Sequence, residues 1–321
     1  MDIEIKVKDL KREFDKNFNP SKDYLDDMPD IQNSEYESDW PIERVGIHGF
    51  KLPLNIRQKN GSSQGVVATI TGTVSLEADK AGINMSRIIR TAYHSTEDAV
   101  FVNIDKLCDI LKNYKRDLDT FDAHIIMKFP YRLWLEAPVS KRKDGNPEGG
   151  WQYYDVTFDV NLDRDGNFRK IMYVDFVYSS ACPCSTALSE YAAYTQGRYG
   201  IPHSQRSVAK IGVEFDDMVW IEDVIEKMRE TLVTEVLVFC KRPDEMQFAL
   251  MNGAHPKFVE DAARLIADAL NSMNNVKDFK VIISHLESLH AHQAVSVITK
   301  GLKNSKFTPE VSFEEFEALT R

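Results

Sequence analysis

Two cysteines two residues apart, Cys182 and Cys184, and a histidine a short way beyond, His203, share one segment, ACPCSTALSEYAAYTQGRYGIPHSQRS. Thiolate sulfur and imidazole nitrogen are donors that suit zinc or ferrous iron. The segment has no second Cys-x-x-Cys, so a structural site of four cysteines is not implied. Its Cys-x-Cys is also not the Cys-x-x-Cys of thiol redox enzymes. The competing readings are a cysteine pair buried for packing and a lone surface histidine. Arg206, three residues after His203, adds a planar fork donor suited to phosphate or carboxylate.

Other residues carry weaker signals. Glu235 sits in the apolar run VTEVLVFC, where a carboxylate is costly unless paired or metal-bound. The alternative is an outward-facing residue on a half-buried strand. Lys241 and Arg242 close that run, as a polyphosphate contact or as an ordinary charged strand end. The segment LESLHAHQ holds Glu287, His290 and His292. At strand period His290 and His292 share a side, and at helical period Glu287 and His290 do. Either arrangement offers an acid and an imidazole for proton transfer, with a structural histidine pair as the alternative. Arg87 and Arg90 share a helical face, as an anion patch or as a solvated surface. Walker, Rossmann, HExxH and GxSxG patterns are absent from the sequence.

The elements that must position these residues read as α+β. The run 65–79 is rich in β-branched residues and predicts a strand, and order is expected from PIERVGIHGFKLPLNI onward. In 104–118, Ile104, Leu107, Cys108 and Leu111 fall on one helical face. Three strands follow at 124–138, 151–162 and 168–180, joined by KRKDGNPEGG and DRDGN, so an antiparallel meander is expected. A helix over 187–196, a strand at QRSVAKIGVEF, a helix at 220–232 and an extended run VTEVLVFCKRP come next. The stretch 256–273 predicts a helix with Pro256 in its first turn and Phe258, Ala262, Leu265, Ile266 and Ala269 on one face. Strand-like material closes the chain. Hairpins without βαβ regularity argue against a doubly wound sheet.

Composition sets the outer limits. The 321 residues include 17 Phe, 12 Tyr and 4 Trp, enough for a sizeable core, which excludes a disordered or low-complexity chain. A net charge of −10 disfavours general nucleic-acid binding but permits a small anion in a local basic pocket. Four cysteines are too few for a disulfide scaffold; Cys182 and Cys184 read as functional, Cys108 and Cys240 as core. The stretch Asp23 to Trp40 has seven acids and no lysine or arginine, so residues 1–40 read as a peripheral arm and 41–321 as one catalytic domain, with a weak two-fold pattern inside it. No apolar run is long enough for a bilayer span, and the N-terminus lacks an apolar signal core, so a soluble cytoplasmic chain with no membrane or nucleic-acid partner is expected.

Taken together, MPDIQN, PIERVGIHGFKLPL, AGINMSR, ACPCS, PHSQRS, CKRPDE, HPKFVEDAARLI and LESLHAHQAVSVI resemble, in order from residue 28 to about 298, the type IB GTP cyclohydrolase family. The resemblance implies a tunnelling fold of antiparallel sheet and paired helices, assembled as a homotetramer with sites at subunit interfaces. It implies a divalent metal ion (zinc, iron or manganese) on Cys182, His203 and Glu235. Cys184, Glu287 and His290 would be catalytic, and Arg87, Arg206, Lys241 and Arg242 would hold substrate phosphate. The implied reaction converts GTP and water to formate and 7,8-dihydroneopterin triphosphate, or its 2',3'-cyclic phosphate, in pterin and folate biosynthesis. Two positions depart from the family pattern. Asn84 replaces a histidine before Met-Ser-Arg, and Leu250 falls where a guanine-anchoring glutamate is expected. Three other readings stay open: a related hydrolase of another purine or pterin, a nitrile reductase of the same fold, and a noncatalytic oligomeric binding protein.

Overall fold

The β-branched run expected near 65–79 forms one arm of a long hairpin, in which β1 (Ile42–Arg57) pairs antiparallel with β2 (Ser63–Leu76). The structure, a computed structural model, describes residues 15–301 and 306–320. Residues 1–14 of the expected arm lie outside the described residues. The rest of the arm carries a short helix, α1 (Lys22–Asp26), and a 3-10 turn at Ile31–Asn33.

After β2 come α2 (Met85–Thr96) and α3 (Ile104–Leu118), then β3 (Ala123–Lys141), β4 (Pro147–Leu162) and β5 (Phe168–Ala181). The chain continues through α4 (Pro183–Gln196), β6 (Ser204–Glu214), α5 (Ile221–Leu232), α6 (Arg242–Ala254) and α7 (Val259–Asn271). It closes with β7 (Asp278–His285), β8 (Ala294–Thr299) and α8 (Phe313–Ala318). The eight strands form one sheet in chain order, β1 to β8, with every neighbouring pair antiparallel. A hairpin, helices and a second hairpin thus occur twice in succession. This is the α+β tunnelling architecture of antiparallel sheet and paired helices.

Strand alternation produces the layers. Along β3, Ile125, Met127, Phe129 and Tyr131 are buried, while Lys128, Pro130 and Arg132 point to the other face. The buried side meets the helices: Ile104, Leu107, Cys108 and Leu111 of α3 are all buried as their spacing predicts, joined by Ile110, Tyr114 and Leu118. The fit is tight at Gly72, where an added Cβ would lie 2.8 Å from Ile88 Cγ2 and 3.0 Å from Tyr114 Oη. Each large apolar side chain so enclosed contributes about 1.5–3 kcal/mol relative to exposure.

Several expectations are corrected. Residues 233–241 are not a strand; among them only Glu235 forms a bridge, to Tyr178, and Val233 takes a φ of 66°. Helix α6 was hidden because its apolar residues lack helical periodicity, and Asp244 is its only buried residue. Helix α7 starts at Val259 rather than at Pro256, because the Asp261 carboxylate accepts the Phe258 N–H (3.0 Å) and sets the helix start there. Its buried face is Val259, Ala262, Ala263, Ile266, Ala269 and Leu270, which leaves Phe258 and Leu265 exposed. Small residues on that face allow α7 to approach α5 and the β7–β8 hairpin closely. Cys240 is exposed, not core, because it sits in the irregular segment before α6.

Candidate functional site

Strand β5 ends at Ala181, and the chain turns at once into α4. Cys182 is the N-cap and Pro183 follows, where its fixed φ suits the first helical turn. The helix N-terminus therefore presents its free N–H groups and the positive end of its dipole beside Cys182. The pairing of Ala181 with Ser204 returns the chain to this spot at the start of β6. The Cys182 N–H donates to the His203 carbonyl at 3.1 Å, and the His203 N–H donates to Ser185 Oγ at 3.3 Å. Sheet pairing thus joins the cysteine motif to the histidine despite the helix between them.

Strand β7 brings the third group. It pairs with β6, and beyond its end the Leu286 N–H donates to the Arg206 carbonyl (3.1 Å) and Ser288 Oγ to the Ser204 carbonyl (3.2 Å). Glu287 is thereby set against His203, with Oε2 3.6 Å from Nδ1. The two side chains are 12% and 20% exposed, and neither of these two facing atoms has a hydrogen-bond partner. Buried acceptors and donors without partners are costly, which makes this pair a candidate place for a ligand or ion. The Glu287 N–H donates to Gln293 Oε1 at 2.7 Å, which closes the 286–293 loop. His290 and His292 are exposed in that loop and stack, ring centroids 4.8 Å apart. They share a side, although the loop is neither strand nor helix.

Glu235 is not brought to this cluster. Its carboxylate accepts from the Tyr154 hydroxyl and from Arg229 Nε (2.6 Å), deep between the sheet and α5. Its backbone bridges to Tyr178, four residues before Cys182 on β5. Among the described residues, no group of three or more His, Cys, Asp or Glu side chains is placed to hold a metal ion. The expected set Cys182, His203 and Glu235 is therefore not assembled; His203 and Glu287 face each other instead.

The remaining candidates are dispersed. Cys184 is exposed on the first turn of α4, and Arg206 is exposed on β6 beside the Glu287 turn. Lys241 Nζ pairs with Glu148 at 2.7 Å, and Arg242 opens α6. Arg87 lies on α2, packed with the first hairpin rather than with β5 and β6. Asn84 caps α2, and Leu250 is exposed on α6.

A buried polar chain that sequence reasoning missed lies behind the site. The Tyr178 hydroxyl meets His285 Nε2 at 2.8 Å, and Ser180 Oγ meets Ser207 Oγ (2.9 Å) and Gln205 Nε2 (2.8 Å). Burial, helped by the nearby Lys257 charge, pushes the His285 imidazole down to about 4. Burial alone brings the Lys257 ammonium down to about 8. The Lys257 N–H donates to the Ala181 carbonyl at 3.1 Å, directly before Cys182. The available signal was an ionisable residue at the end of an apolar strand, as in VIISH, and a lysine held between Pro256 and an apolar helix.

The family model described as Type I GTP cyclohydrolase folE2 matches residues 28–296. The GTP cyclohydrolase FolE2 of Dinoroseobacter shibae is 44% identical over 301 residues, covering 91% of this chain and 79% of its own. That of Paracoccus denitrificans is 42% identical over 297 residues, covering 91% and 90%. Among solved structures, uricase from Arthrobacter globiformis aligns with a TM-score of 0.49 at 10% identity, over 83% of this chain and 96% of that one. On the family match and these identities, the chain belongs to the type I GTP cyclohydrolase FolE2 family.

Proposed function

We propose that the chain carries out its family's reaction, converting GTP and water to formate and 7,8-dihydroneopterin triphosphate, at the His203–Glu287 pair beside the Cys182 cap of α4. The observation that carries this placement is the facing pair of buried, unpartnered atoms, His203 Nδ1 and Glu287 Oε2, at 3.6 Å. Imidazole and carboxylate are the groups needed to take a proton from attacking water and return one to a departing purine nitrogen. Loss of C8 as formate needs both transfers, and Glu287 is held for them by the 286–293 loop. His290, exposed in the same loop, is the second proton carrier in this reading. Cys184, exposed on the first turn of α4, is the group available to contact substrate from the other side.

The donor chemistry of this corner suits a divalent ion, zinc, iron or manganese. His203 and Glu287 would hold it, with Cys182 as the adjacent thiol. Such an ion supplies a bound water that ionises near neutral pH. Glu235, committed to Arg229 and Tyr154, is set aside as a ligand.

Phosphate recognition falls to Arg206 beside the Glu287 turn, with Lys241, Arg242 and Arg87 as further cations. The family pattern's guanine-anchoring carboxylate has no counterpart at Leu250, which is exposed on α6. A nucleotide panel therefore belongs with the GTP assay, and product analysis separates the linear triphosphate from the cyclic phosphate. We read the assembly as a homotetramer, supported by the apolar residues that α4 exposes.

The test is formate release from GTP by the wild-type chain and by Cys182→Ala and His203→Ala. Both variants are expected to lose turnover by about 100-fold or more. Formate release that persists in the double variant after metal chelation overturns the placement.

A further inference from the structure

A cleft of about 540 Å³ lies between α2 and α3, far along the chain from Cys182 and built on the first hairpin. Its lining includes Arg87, Arg90 and His94 from α2 and Arg116 and Asp117 from α3. Helical spacing explains the convergence: residues 87, 90, 91 and 94 share one face of α2, and 113, 116 and 117 share one face of α3. Three guanidiniums against the single carboxylate of Asp117 leave a surplus of two positive charges in the lining of a chain whose net charge is −10.

The arginines are partly preset. Arg87 Nη1 donates to the Asp117 carbonyl at 3.0 Å, and Arg116 Nε donates to Asp117 Oδ1 at 2.8 Å. Thr91 Oγ1 donates to Asp117 Oδ2 at 3.1 Å, so both carboxylate oxygens are occupied, one of them in orienting Arg116. Among the described residues, the outer nitrogens of Arg116 and the whole Arg90 guanidinium remain for a ligand, while His94 Nδ1 meets Glu97 at 3.1 Å. Asn113 and Ser95, bonded to each other at 3.3 Å, supply neutral polar groups at the rim. Guanidinium forks fixed in this way match phosphate oxygens in geometry and charge.

We infer that the α2–α3 cleft binds a phosphate or polyphosphate group through Arg90 and Arg116, with Arg87 completing the cation set. This extends the phosphate reading of Arg87 above, but its first test does not depend on turnover. Two sources share the chemistry: a free phosphorylated ligand, or the triphosphate of a substrate seated on another copy of the chain.

The test is calorimetric titration of the full chain with inorganic tripolyphosphate, on wild type, Arg90→Gln, Arg90→Gln/Arg116→Gln, and Lys112→Gln. Lys112 is exposed on the same helix but does not line the cleft. Saturable binding is expected in wild type and Lys112→Gln. Each arginine removed is expected to weaken it about tenfold or more, the loss of a charge-assisted hydrogen bond. Arg90 is exposed, so its single variant tests the site without disturbing the core. A parallel GTP assay separates the sources. Competition by tripolyphosphate, with a raised KM and unchanged kcat in Arg90→Gln, identifies the substrate's own triphosphate. Binding without competition identifies a separate phosphorylated ligand. Absence of saturable binding in wild type, or equal affinity in the double variant, overturns the inference.

Discussion

Glu235 and Glu287 are both carboxylates held out of bulk water near one end of the sheet, and their partners separate their roles. Glu235 is 4% exposed and satisfied by Arg229 and the Tyr154 hydroxyl, whereas Glu287 Oε2 faces His203 with no hydrogen bond. Removing charge from one member of a buried ion pair strands the other. Glu235→Gln is therefore expected to lower stability by about 3 kcal/mol. Glu287→Gln removes no satisfied contact of its carboxylate, so stability should hold while formate release falls by about 100-fold. Urea unfolding run beside the formate assay decides this, and the reverse pattern would return Glu235 to the site. The sequence made Glu235 conspicuous because a carboxylate stood in an apolar run. It could not show which polar group met it, since Arg229 and Tyr154 reach it from a helix and a strand that only folding brings together.

At the scale of elements, the KRPDE segment shows how a motif acts through structure. Asp244, fully buried, accepts from the Val139 and Ser140 N–H groups (2.9 Å each), from Ser140 Oγ, and from the Lys241 N–H (2.8 Å), which fastens α6 to the end of β3. Burial opposes ionisation of its carboxyl, but the Ser140 hydroxyl and those backbone donors outweigh it and bring it down to about 2. The unfolded carboxyl titrates near 3.9, so the folded state binds its proton less readily. The stabilisation is then fully present above about pH 4 and is lost as pH falls through about 2. Asp244→Asn should cost about 2–3 kcal/mol at pH 7, by loss of charge-assisted bonds, and less as acid protonates the wild-type carboxyl. Urea unfolding of both proteins at pH 7 and pH 3 measures the difference, and a deficit that does not change with pH would refute the assignment. The strands and α3 were legible because their period is written in single side chains. Helix α6 was not, because it is fixed by an acid that reaches across to another strand rather than by an apolar face.

For the whole molecule, the eight-stranded sheet has β1 and β8 as its edge strands among the described residues, and α4 carries no buried residue. That helix exposes Leu188 (68%), Tyr191 (64%) and Tyr194 (91%) at a three-residue spacing, immediately beyond the Cys182 cap. Large apolar side chains so arranged on one helix are the kind of surface that another copy covers, and open sheet edges offer it backbone pairing as well. In the homotetramer proposed here, α4 is then both an interface helix and the helix whose first residues line the site. Leu188→Glu/Tyr191→Glu places two carboxylates on that face without touching the core. Sedimentation should show a species about four times 36.7 kDa for wild type and smaller species for the variant. Formate release should fall with assembly, because the α4 N-terminus loses the packing that orients Cys182 and Cys184. A variant that stays the wild-type size would remove α4 from the interface. One that dissociates yet keeps full turnover would show that a single copy contains the complete site.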